Sequence, residues 1–164
     1  MAIASLLDRP EYVHVLINHL PLIGLLVGMV SLGCAIGLKN RGAIFLGLAL
    51  VALLSLSACV VSYFGEEGYD RVLSMADENG QAFLRYHQHL ADRWIFLFYV
   101  CAAVALMGIV FGWKWPRWLT PISILTLLLG AGALAAGILI ARSGGEIRHR
   151  EFRSGPPPEL PQKQ

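Results

Sequence analysis

The chain has 164 residues, of which 56% are hydrophobic and only 15% charged, with a formal net charge of +2. A soluble domain carries about a quarter charged residues, so this composition points to a bilayer as the solvent. The few charges are spread over both ends of the apolar segments without a basic stripe, which excludes a nucleic-acid partner.

Met1–Glu11 reads as a short head, and its opening MAIASLLDRP lacks the basic n-region of a cleavable signal peptide. Four charge-free stretches follow: Leu20–Leu38, Gly42–Phe64, Trp94–Trp113 and Leu119–Ala141. Each is about 20 residues long, enough at 1.5 Å per residue to cross a hydrocarbon core of roughly 30 Å. None has the polar face that a helix of a soluble bundle would show. The expected fold is therefore all-α: an integral membrane four-helix bundle with helices over about 12–38, 42–64, 90–113 and 118–142. Residues 1–153 form one transmembrane domain and 154–164 a Pro-rich tail, extended or docked on a partner.

Pro21 removes a backbone hydrogen bond and predicts a kink near His19. Gly65 is expected to end the second helix, and the pair Gly144–Gly145 the fourth. The outer loop 65–89 predicts a short amphipathic helix across Tyr69–Ala76 and another from about Ala82 into the third span, broken at Asn79–Gly80. Glycines such as Gly24 and Gly28 suit close helix packing; the sharper alternative is that they make room for a flat cofactor.

The two short loops carry Lys39, Arg41, Lys114 and Arg117 and no acidic residue. The positive-inside rule makes them cytoplasmic and places both termini on the outer, periplasmic side of a bacterial inner membrane. Cys34, Cys59 and Cys101 lie inside spans, where cysteine acts as a small apolar residue, and no CxxC or CxxCH motif is present.

An even number of crossings returns all five histidines to one face. His14 and His19 open the first span, His87 and His89 precede the third, and His149 follows the fourth. His14 and Asn18 share a helix face, whereas His19 points about 140° away from His14 at 100° per residue. His87 and His89 are two apart, so one of them faces the bundle, and Ala91 below His87 favours His87. Glu66 lies at the outer mouth of the second helix, and Glu146 shares a face with His149 if a helical turn forms. Polar groups at the mouths of apolar helices need partners, which makes His19, His87 and His149 the leading site residues, with His14 a further candidate.

The pieces NHLPLIG, GEEG, the histidine before the third span and GGEIRH resemble a family of uncharacterised bacterial four-helix membrane proteins. That family carries NHFP-like, TGE-like and GGEIRHPE-like motifs, and the resemblance covers roughly Val13–Glu151. It implies marked positions at His19, Pro21, Glu66, His87, Gly144, Gly145, Glu146 and His149, with Leu20 and Arg150 departing from the family pattern. It implies no activity.

The residues point first to a haem b held by His14 or His19 with His87, and with His149 as ligand or propionate contact. Such a chain is a non-catalytic electron-transfer subunit. Its expected partners are the lipid bilayer, other subunits of a membrane redox complex, a c-type cytochrome or a quinone. The alternatives are a direct zinc, copper or non-haem iron site built from His19, Glu66, His87, Glu146 and His149, or a cofactor-free structural subunit.

Overall fold

The computed structural model describes residues 7–160, so the signal-peptide reading of the first residues and the end of the tail lie outside the described residues. The chain is all-α, with four helices long and apolar enough to cross a membrane: Pro10–Gly37, Arg41–Met75, Glu78–Lys114 and Pro116–Arg148.

The first of these is built from α1 (Pro10–Ile17), a wide π turn over Leu20–Gly24, and α2 (Leu25–Gly37). Pro21 has no N–H to give to the helix ladder, and the irregularity expected there takes the form of that π turn. A tight loop joins α2 to α3 (Arg41–Met75). In it Lys39 adopts φ 52°, Asn40 N–H donates to Ala35 O at 3.2 Å and Lys39 N–H to Ile36 O at 3.0 Å. This is a left-handed helix stop made by a lysine rather than a glycine. The Asn40 side chain then accepts from Ala43 N–H at 3.0 Å and caps α3.

The third long helix comprises α4 (Glu78–Trp94) and α5 (Phe96–Lys114), and α6 (Leu119–Arg148) is the fourth. The helices pack in a ring, α2 on α3, α3 on α5, α5 on α6 and α6 back on α2. Leu25, Leu32, Leu48, Val51, Cys101, Ala105 and Ala133 form its core. The backbones approach closely, as a Cβ at Gly47 would lie 2.8 Å from Leu32 Cα. Leu46, Leu53, Val110, Leu128 and Ile138 point outward. An apolar rim around an apolar core is what a lipid-facing bundle presents.

Two expected helix stops are corrected. α3 runs unbroken through Gly65 to Met75, absorbing the short helix expected over Tyr69–Ala76, and α6 runs through Gly144–Gly145 to Arg148. Among the described residues no glycine has positive φ, so none serves as a left-handed stop. The break between α3 and α4 falls at Ala76–Asp77 rather than Asn79–Gly80, because the Asp77 carboxylate accepts from Gly80 N–H at 2.8 Å and caps α4 there. Nor do Gly24 and Gly28 make room for a flat cofactor. A Cβ on Gly24 would meet Leu54 and one on Gly28 would meet Val51, so both glycines serve helix packing.

At 35 residues and about 52 Å, α3 outruns a bilayer core by several turns. Its last turns, α1, α4 and the end of α6 make a head at the histidine end of the bundle. Phe83, Leu84 and Ile147 form a second small core there, packed by Tyr69, Val72 and Leu73.

Candidate functional site

Two histidines meet in this head. The rings of His14 and His87 lie 6.4 Å apart between centroids with their planes at 90°. Each ring is held by the same device on a different helix. His14 Nδ1 lies 2.9 Å from Val61 O on α3, and His87 Nδ1 lies 2.9 Å from Ile140 O on α6 and 3.0 Å from Ser143 Oγ. A carbonyl oxygen only accepts, so each Nδ1 carries a proton and donates it, and Nε2 is the ring nitrogen left for another partner.

The residue four places past each acceptor is a glycine. Helix geometry places Gly65 over the Val61 carbonyl and Gly144 over the Ile140 carbonyl. A Cβ at Gly65 would lie 2.9 Å from His14 Nδ1, and one at Gly144 would lie 3.2 Å from His87 Cε1. Glycine therefore bares the helix carbonyl so that an imidazole can lie against it. The bundle is thus two similar halves, α1 on α3 and α4 on α6, each presenting one ring to the other.

The remaining candidate residues lie elsewhere. His19 is exposed, as its angular separation from the inward His14 requires. Glu66 is exposed and its nearest hydrogen-bonding neighbour is Ser62 Oγ at 3.5 Å. His149 is exposed, pairs with Glu151 at 3.0 Å and stacks on Phe152 at 4.9 Å. Glu146 is buried, with Arg142 Nε 3.6 Å from its carboxylate. His89 is half-buried. Among the described residues no three His, Cys, Asp or Glu side chains gather to hold a metal ion, so the five-residue set His19, Glu66, His87, Glu146 and His149 is not assembled.

Arg153 and Asp77, which the sequence did not single out, hold the head together. Arg153 binds both Asp77 oxygens, at 3.1 and 3.0 Å, and lies over the Phe83 ring. It also donates to the carbonyls of Glu146 and Ile147, at 2.7 and 2.8 Å, satisfying free acceptors at the end of α6. Arg150 adds a second ion pair to Asp77 at 3.0 Å. The Arg153 guanidinium, the Gly80 N–H and the Arg150 charge lower the Asp77 carboxyl from 3.8 to about 2, and Asp77 in turn raises Arg153. On the other side, Glu11 pairs with Arg71 at 2.9 Å, and its second oxygen is buried without a partner. Glu11 lies one turn before His14 and fits against Gly68, one turn after Gly65. The sequence signal for the paired device was a glycine on the second and fourth long helices, each facing a histidine on the long helix before it.

Comparison of the chain with protein-family models, curated proteins and solved structures finds no match to any of them. The motif resemblance stands on its residues alone, and the functional reading on the geometry of the site.

Proposed function

We propose that the chain is a membrane-embedded electron-transfer subunit that holds a b-type haem between His14 and His87, near the outer end of a four-helix bundle. The observation that carries this reading is the ring pair. Imidazole is a common haem ligand, and two rings brought together from different helices would be the residues to hold the iron. Their centroids lie 6.4 Å apart. Both rings also have the tautomer that ligation needs, with Nδ1–H given to a helix carbonyl and Nε2 left to bind.

When bound, the haem supplies a one-electron couple at its iron. The residues of the chain do the rest. Val61 O and Ile140 O orient the two imidazoles and raise their basicity, while Gly65 and Gly144 let them sit close to the helix backbone. The core below is apolar, which confines the polar site to the head of the bundle. The positive-inside distribution of Lys39, Arg41, Lys114 and Arg117 supports a periplasmic site in a bacterial inner membrane, within reach of a c-type cytochrome or of partner subunits.

Difference spectra of the purified protein, oxidised and dithionite-reduced, test the reading. A sharp reduced alpha band and a Soret band are expected. His14→Ala and His87→Ala should each abolish or shift them, while His19→Ala and His149→Ala leave them unchanged. Protein made with ample haem that shows no Soret band would refute the reading, as would equal losses from all four variants.

A further inference from the structure

A second site lies beside the histidine pair. A cavity of about 250 Å³ opens between α4, α6 and the returning tail, walled by Phe83, Tyr86, Leu90 and Leu139 and covered by Ser154–Pro158. Its charged groups are Arg142 and the buried carboxylate of Glu146, 3.6 Å apart. Ser143 also lines it, and the Ser143 hydroxyl touches the Nδ1 of His87. The cavity and the histidine site therefore share a wall.

We propose that this cavity binds the head of an isoprenoid quinone or quinol. Ligand pockets usually enclose about 300–1,000 Å³, so this one takes a single ring and excludes a haem. The aromatic wall of Phe83 and Tyr86 suits a flat ring. Leu139 belongs to the charge-free stretch that ends at Ala141, and Leu90 lies one turn before the stretch that begins at Trp94. This sets the cavity at the edge of the apolar belt that a prenyl tail would enter. The polar groups match both redox forms. Arg142 donates to a quinone carbonyl, and the Glu146 carboxylate accepts from a quinol hydroxyl. A phospholipid phosphate would meet the Glu146 carboxylate as a like charge, which favours the quinone as occupant.

This site stands apart from the haem reading, because binding needs no metal at the histidines. The test is a titration of the delipidated full-length protein with a short-tailed benzoquinone and its quinol, in haem-loaded and haem-free preparations. Saturable binding to both preparations is expected. Glu146→Gln should weaken the quinol roughly tenfold or more, the worth of one charge-assisted hydrogen bond. Arg142→Ala, at a largely exposed position that the fold tolerates, should weaken the quinone by a similar factor. Absence of saturable binding overturns the proposal, and so does unchanged affinity in both variants or displacement of the quinone by anionic phospholipid vesicles. Loss of the Soret band with quinone binding retained refutes only the haem; the reverse pattern refutes only the quinone.

Discussion

Gly65→Ala is the most informative single change at the histidine pair. The new methyl would lie 2.9 Å from His14 Nδ1 and 3.0 Å from Cε1, where ordinary contacts between such atoms are about 3.5–4.0 Å. The ring must retreat by roughly 0.6 Å or more, which stretches its 2.9 Å bond to Val61 O to the edge of hydrogen-bonding range. Overpacking of this kind costs about 1–3 kcal/mol and the lost hydrogen bond about 1 kcal/mol, while alanine returns about 1 kcal/mol of helix propensity. The net penalty of about 1–3 kcal/mol falls on the placement of one ligand ring, and so weakens haem binding by roughly 5- to 150-fold. Gly33→Ala is the control, since a Cβ there meets nothing within 4 Å and adds only helix propensity. Haem titration followed at the Soret band reads both variants. Wild-type affinity in Gly65→Ala, or an equal loss in Gly33→Ala, would refute the argument that the glycine seats the ring.

Further expectations concern the tautomers and the head. In haem-free protein, nitrogen NMR of labelled histidine should show His14 and His87 protonated at Nδ1 with a free Nε2; protonation at Nε2 in either would contradict the hydrogen bonding to Val61 and Ile140. Arg153→Ala removes the bonds to Asp77, Glu146 and Ile147 together, so limited proteolysis should cut the tail beyond residue 150 much faster than in the wild type. Equal cutting rates would mean that Arg153 does not hold it. The pH dependence of that lock follows from the lowered carboxyl of Asp77. A depressed folded pKa contributes stability above the unfolded value of 3.8, and this is lost as pH falls through about 2. Tail protection should therefore persist at pH 5 and disappear between about pH 4 and pH 2, with Asp77→Asn lacking the transition. Loss of protection near neutral pH would point to a different group.

Four long apolar helices were legible because an uninterrupted apolar stretch of helical length has few other readings in a chain so poor in charge. The convergence of His14 and His87 at one end followed from the even number of long helices between them, each reversing the direction of the chain. Which histidine of the first span faces inward was harder to read. The 140° between His14 and His19 says that they diverge, but the choice depends on how the π turn at Pro21 rotates α1 against α3, and that is a tertiary effect. Gly65 and Gly144 read as helix stops because glycine commonly ends helices, yet here each lies beneath an imidazole. The role of Arg153 was hidden for a similar reason. A lone arginine before a Pro-rich tail looks solvated until the end of α6 and the cap of α4 are seen to converge on it.

Low-temperature EPR of the ferric, haem-loaded protein tests the His14–His87 account most directly. Ring planes at 90° predict the strongly anisotropic low-spin signal of perpendicular imidazoles, lost in both His14→Ala and His87→Ala. A high-spin signal, a rhombic low-spin signal of parallel rings, or a low-spin signal surviving either substitution would contradict it.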